Sequence, residues 1–407
     1  MASGPVTLAR LLEVATGDDP WLTQNKAAEQ ALRREAIAAG ALPDPRLNLT
    51  LANLPMDSLR FSQEPMTQLG VGISQAFPAG NSRQLKREQL EKMGDQNPVA
   101  RTVRTLQLRR QVTSVWLQAS LAARSINLIA QDRQLFDQLL AVTGASYGAS
   151  IRQVNQQDII RAQLELTRLD ERTLHFDLSL QRQLARLSEW LPPDLLAAEM
   201  DWLPPALPQQ TFKAAAMPPL LQHPEIRLID HEIEVARVAE SLAREAKRPA
   251  WQLNAGYAYR DRDLNGRNLP DFVTLGVSVD LPLFTSNRQD QRVLAAADRA
   301  NELLSARLLK LKELQSRRAN ALAALAGLEA QASLYRTTLL PQLASLARSA
   351  LDAYGADRGD FADVMRAYIA QLNARLVVLE LETRIAEQFS ELDYLSAELA
   401  GAKGEQE

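Results

Sequence analysis

Two periodicities divide this chain. Leu47-Asn48-Leu49-Thr50-Leu51 sets an apolar side chain at every second position, the pattern of a half-buried strand. Past a loop around Pro55 and Pro65, Gln68-Leu69-Gly70-Val71-Gly72-Ile73-Ser74 alternates again. A third run covers Trp251 to Tyr259. The fourth, Val273 to Leu281, is the cleanest, with Val, Leu, Val, Val and Leu on one face and Thr, Gly, Ser and Asp on the other. Strands are therefore expected at about 46–54, 67–77, 251–259 and 272–283.

The rest of the chain reads as helix. Residues 6–41 are helical with an interruption at Asp18-Asp19-Pro20, where Asp can cap and Pro can open a new helix. From about 82 to 142, Val103, Leu106, Val112, Val115 and Leu117 recur among Arg, Gln and Ser. Pro98 in this stretch predicts a kink or a break. A counterpart from about 288 to 354 carries Leu304, Leu308, Leu311 and Leu314 and contains Pro341. Roughly sixty residues at about 1.5 Å each reach on the order of 90 Å, far beyond a globular helix. Return helices at about 156–190 and 360–399 make each long helix half of a coiled-coil hairpin.

The two halves repeat one another. Pro43 and Leu47-Asn48 recur 206 positions on as Pro249 and Leu253-Asn254, and Leu69-Gly70-Val71 recurs at the same spacing as Leu275-Gly276-Val277. Tyr147-Gly148-Ala149 matches Tyr354-Gly355-Ala356, and Asp158 to Ala162 matches Asp363 to Ala367. The organisation is a first repeat over 1–190, a Pro-rich linker over 191–219, a second repeat over 220–400 and a flexible tail over 401–407.

Composition narrows the function classes. The 46 Lys and Arg nearly balance 49 Asp and Glu, without the basic excess of a nucleic-acid binder. No Cys and only His175, His223 and His231 leave no metal centre and no cofactor to expect. Neither a Gly-rich phosphate loop nor G-x-S-x-G nor HExxH is present, so an enzyme is not expected. Met1 to Pro5 shows no signal peptide. That leaves a cytoplasmic protein or a mature exported chain with a replacement start methionine, and composition does not choose. No run of eighteen apolar residues encodes a membrane helix.

A membrane role remains open to the strands. Four segments of about 9–11 residues with one apolar and one polar face match tilted transmembrane β-strands. Trp251, Tyr257, Tyr259, Phe77 and Phe284 stand towards strand ends, as an interfacial aromatic girdle would. By alternation Asn48, Thr50, Gln68 and Ser74 would line a wet lumen, together with Gln252, Asn254, Thr274, Ser278 and Asp280. Four strands cannot close a barrel, which takes about eight at the least, so chains would have to pool them. The soluble alternatives are a small sheet capping a helical bundle and a coiled-coil periplasmic scaffold or adaptor.

With this order in place, the sequence resembles the outer-membrane efflux protein (TolC) family over essentially its whole length. The carriers are the duplication, Ser74-Gln75-Ala76-Phe77-Pro78, Asp280-Leu281-Pro282-Leu283-Phe284, Leu339-Leu340-Pro341-Gln342, and Ala353-Tyr354-Gly355 with Gly359-Asp360-Phe361-Ala362-Asp363-Val364. The resemblance implies an α+β membrane protein of the outer membrane, extending into the periplasm. Three chains would form one twelve-stranded barrel in outer-membrane lipid, continued by a helical tube. Such a homotrimer is the exit duct of a tripartite pump. It works with a periplasmic adaptor and an inner-membrane transporter of the resistance-nodulation-division type. Asn53 to Ser58 with Gln63 to Thr67 resembles the heavy-metal, cobalt–zinc–cadmium (CzcC-type) subgroup. Drug efflux and type I secretion are the alternatives. Met56 and Met66 read as loop residues, since two thioethers without Cys or His make a poor copper ligand set.

Both hairpin tips carry glycine, at Gly144 and Gly148 and at Gly355 and Gly359, where positive φ would ease a tight connection. The resemblance makes these tips the periplasmic entrance and the adaptor's docking point. Beyond them, Asp158 and Arg161, and Asp363 and Arg366, stand three apart on one helical face. Three chains would bring six of each charge together. The family often has a second acid where Arg366 stands, which favours a salt-bridged gate over an acidic ring. The bland alternative is a solvated i,i+3 pair.

Overall fold

Alternation becomes four strands, β1 (Arg46–Ala52), β2 (Gln68–Phe77), β3 (Ala250–Tyr259) and β4 (Phe272–Asp280). They form one antiparallel sheet in the order β1-β2-β3-β4. Two ends fall short of the expected bounds for local reasons. β1 stops at Ala52 because Asn53 takes a left-handed φ of 55°. β4 stops at Asp280, ahead of Pro282, which has no N–H to give a ladder. The computed structural model describes residues 5–148, 156–202, 217–263, 265–356 and 358–397.

Helices make up most of the remainder. They are α1 (Leu8–Gly17), α2 (Pro20–Gly40), α3 (Ser82–Gly148), α4 (Gln156–Leu187), the single turn α5 (Pro193–Leu196), α6 (Pro224–Glu245), α7 (Gln289–Leu334), α8 (Leu340–Gly355) and α9 (Phe361–Leu395). Pro20 opens α2, and the adjacent Asp19 carboxylate is bound by Arg104 at 2.8 Å. The order helix, two strands, long helix, return helix occurs twice along the chain.

Pro98 does not break its helix, contrary to the sequence expectation, because α3 runs through it unbroken. A proline at 98 withdraws the N–H that would serve the carbonyl of residue 94. The Asn97 amide replaces it, donating to Gly94 O at 3.2 Å and to Met93 O at 3.1 Å. Asn97 in turn accepts from Asn25 Nδ2 of α2 at 2.8 Å, and Arg101 reaches Asn25 and Glu29 one turn on. Pro341 acts differently: the five residues before α8, Tyr335–Leu339, form a π-turn that joins α7 to α8. Such turns absorb an interruption in the i→i−4 ladder.

The chain divides into two compact units that cut across the sequence repeats. One holds Trp21–Arg101 and Glu225–Lys310, and therefore the sheet. The other holds Met1–Pro20, Thr102–Pro224 and Leu311–Glu407, the helical hairpins. The hairpin unit has three apolar clusters, around Leu11 and Trp116, around Phe136 and Phe361, and around Leu325 and Leu392. The described start of the expected linker belongs to the first of these. Leu191 and Met200 are buried, Met200 bridges to Val6, and Trp202 stacks on Trp116 at 6.2 Å. Proline content marked it as a linker, but its apolar residues give it a packing role.

If Asn97 replaces the missing proline donor, Asn97→Ala costs about 1–3 kcal/mol, the penalty of an unsatisfied buried polar group. Pro98→Ala restores the N–H, so the same substitution costs measurably less in that background. Denaturant midpoints of the four proteins check it.

Candidate functional site

The register of the sheet sorts its two faces. Leu47, Ile73, Ala255 and Leu275 lie in one row across the four strands, and Leu49, Val71, Tyr257 and Val273 in the next. Paired residues of antiparallel strands point the same way, so this face is apolar throughout except at Gln75. It is also uncovered in the chain: Leu275 is 81% exposed, Val273 75% and Leu49 72%. An exposed apolar face of this extent marks an interaction surface, with protein or with a membrane. The opposite face collects Asn48, Thr50, Gln68, Ser74, Gln252, Asn254, Thr274, Ser278 and Asp280, with Gly70, Gly72, Gly256 and Gly276 among them. Polar side chains there bond to one another, Gln252 to Asn254 at 2.7 Å and Asn254 to Ser278 at 3.3 Å.

Aromatic rings mark both ends of the apolar face. Phe77 and Trp251 pair at 5.4 Å at one end, and Tyr259 stacks on Phe61 at 6.2 Å at the other. Eight residues separate Trp251 from Tyr259, about 26 Å along a strand at roughly 3.3 Å each. That matches an apolar band about 25 Å tall between aromatic girdles. At the Tyr259 end the two connecting loops are joined. The Arg260 guanidinium donates to Pro65 O and lies 4.5 Å over the Phe272 ring. Asn53 donates to Met66 O, and Thr67 donates to Asn53 O. Met56 and Met66 are exposed loop residues.

The helical tip is built at the junction of α8 and α9. Asp360 caps α9 by accepting from Ala362 N at 3.1 Å, and Tyr354 meets Phe361 edge-on at 5.7 Å. The expected left-handed φ is absent at both glycines, since the described glycines with positive φ are Gly80 and Gly266. Gly359 is needed for closeness instead: a Cβ there would stand 2.9 Å from Tyr354 N and 3.0 Å from Ala353. At Gly355 a Cβ would meet nothing within 4 Å. Gly80, which spacing did not single out, has φ 49° and admits Glu245, whose carboxylate receives Asn81 N at 2.8 Å.

Asp363 and Arg366 are brought together within α9, Arg366 Nη2 donating to Asp363 Oδ1 at 2.5 Å. Both are exposed, while the neighbouring Val364 and Met365 are buried. An exposed i,i+3 pair contributes only about 0.2–0.5 kcal/mol. In the other hairpin, Gly144 and Gly148 lie in the last turns of α3, and residues 149–155 fall outside the described residues. Asp158 is in α4 with its side chain outside the description, and Arg161 is exposed on the same helix.

A second polar centre lay hidden from sequence reasoning. Arg110 of α3 and Arg317 of α7 both bind Glu391 of α9, at 3.0 and 2.7 Å. Both guanidiniums also lie over the Tyr394 ring, at 5.1 and 5.2 Å. Each such contact contributes about 0.5–2 kcal/mol. His223 Nε2 is 3.0 Å from Tyr394 O in the last turn of α9, where carbonyls lack helical partners. Arg110, Arg317 and Glu391 border a cavity of about 680 Å³ that also receives Glu387. Burial pushes the Glu387 carboxyl above its ordinary range, against the opposing pull of Gln118 and Arg384.

No protein-family model matches the sequence, and no curated protein matches it. Solved structures do. The outer membrane protein VceC of Vibrio cholerae superposes with a TM-score of 0.77 at 16% identity, over 96% of each chain. CusC, whose structures describe transmembrane channel formation, gives 0.75 at 18% identity, over 96% of this chain and 92% of that one. The outer-membrane channel OprN gives 0.78 at 14% identity, over 95% and 89%. The chain thus has the fold of these outer-membrane channels, as the sequence motifs anticipated.

A carboxyl held above its ordinary value of 4.5 by burial costs stability where it is ionised. Its stabilising contribution is present below that value and is lost as pH rises through the higher folded value. Glu387→Gln therefore raises the unfolding midpoint at pH 7, and the gain shrinks as pH falls through about 4.5. A gain that does not change with pH would contradict the assignment.

Proposed function

We propose that this chain is one third of an outer-membrane exit duct. One observation carries the reading: an open four-stranded sheet with a bare apolar face and a polar face, whose β1 and β4 edges pair with no other described strand. Lipid satisfies the apolar face, but a bilayer offers nothing to an unpaired strand edge. Three copies would join β4 of one chain to β1 of the next, giving twelve strands closed on themselves. The polar positions named above then line the lumen, and the helical hairpins continue it into the periplasm. The likeness to VceC, OprN and CusC supports the outer-membrane location.

Such a duct does no chemistry. Cargo would arrive from an inner-membrane transporter of the resistance-nodulation-division type through a periplasmic adaptor seated on the hairpin tips at Gly144, Gly148, Gly355 and Gly359. We assign heavy-metal cations as the cargo, on the loop residues Asn53 to Ser58 and Gln63 to Thr67. Asp363 and Arg366, with Asp158 and Arg161, would ring the entrance and hold it closed. Weak pairs suit a gate, since six of them sum to a few kcal/mol at most and release readily.

Loss of the gene is expected to sensitise cells to cobalt, zinc and cadmium and leave antibiotic tolerance unchanged. The reverse pattern would assign drug cargo. In planar bilayers, Asp363→Ala with Arg366→Ala raises single-channel conductance, and in cells it lets antibiotics leak. Unchanged conductance and leakage would overturn the gate.

A further inference from the structure

The apolar face of the sheet is not evenly filled. Its rows carry large side chains at nearly every place, but the row Leu47, Ile73, Ala255, Leu275 has alanine at its third. Around that gap lies a groove of about 630 Å³, bordered by Ile73, Leu253, Leu275 and Val277 and ending at Gln75 and Pro45. This volume falls within the range of about 300–1,000 Å³ typical of small-ligand sites. Asn254 and Gly276 also border it. By alternation the Asn254 side chain belongs to the other face and Gly276 has none, so their backbone forms the groove floor.

The groove has one polar end. Gln75 is the only polar member of this face among the described strand residues, and it pairs with Leu253. Its amide donates to Pro43 O at 2.8 Å and to Ala76 O at 3.1 Å, which fixes it at the margin. Two register positions further out, in the next row of the same face, stand Phe77 and Trp251. Such rings settle at the headgroup level of a bilayer. The opposite direction leads along β3 over Ala255, the middle of the apolar band, to Tyr257.

We infer that this groove is a binding site for one fatty acyl chain of a bilayer phospholipid. The ester region lies beside Gln75 and Trp251, and the chain lies over Ala255. The inference rests on the membrane reading proposed above. Lipid tails gain no hydrophobic energy from a lipid-facing surface, so selective residence must come from close packing. A groove floored by backbone and walled by four branched side chains supplies that packing, and a flat apolar face does not. Continuity with the lipid-facing band singles out lipid over a second copy of the chain, which the strand edges would engage instead.

The test uses the full-length protein in vesicles of phosphatidylethanolamine and phosphatidylglycerol carrying a trace of phospholipid with a diazirine on its acyl chain. After irradiation, cross-linked peptides are mapped by mass spectrometry. Labelling at Ile73, Leu253, Leu275 and Val277 is expected to exceed that at Leu49 and Val273 by about tenfold, the factor that 1.4 kcal/mol gives. Ala255→Phe fills the groove and removes the excess. Ala255→Leu does the same with a smaller side chain, should the larger one impair insertion. Even labelling over the whole apolar face, or an excess that survives both substitutions, would overturn the site and leave the membrane reading intact. Labelling absent from the groove but present at Leu49 and Val273 would mean that protein covers it, which also overturns the site. Labelling absent from the entire face would overturn the membrane reading itself.

Discussion

Everything about this chain turns on four strands that one polypeptide cannot satisfy. Their backbone ladder is complete between neighbours and open at both edges. Their larger side chains face outward with nothing of the chain's own to cover them. Water would penalise the face, and lipid would penalise the edges. A closed barrel made from several chains, as proposed above, would remove both penalties together.

The helices meet a different constraint, which is to stay continuous over lengths where single residues could break them. Pro98 is tolerated because Asn97 restores a donor to the Gly94 carbonyl. Pro341 is tolerated because a π-turn takes up the fault. At the far end of α9, two guanidiniums and one imidazole gather on Glu391 and Tyr394. That cluster ties α3, α7 and α9 together through charge, beside the buried Leu392 and Leu395. At the tip the ties are weaker, an exposed pair and a helix cap.

Much of this was legible in the residues. Period 2 located all four strands, and it also sorted their polar side chains onto one face, because the antiparallel register preserves alternation across a sheet. Duplication gave the order of elements. Elsewhere local rules gave way to tertiary context. Pro98 signals a break by its own chemistry, and only the neighbouring amide cancels that signal. Prolines in 191–219 suggested a linker, yet Leu191, Met200 and Trp202 join a core. The tip glycines were assigned to positive φ, but Gly359 answers to a 2.9 Å approach that no spacing reveals. The cluster around Tyr394 joins residues hundreds of positions apart and carries no motif.

Since the open sheet is the premise of the account, the most direct measurement is the mass of the protein extracted from membranes in mild detergent. Light scattering with correction for bound detergent should give three chains of 45.1 kDa in one particle. A single chain that stays soluble without detergent would contradict the account.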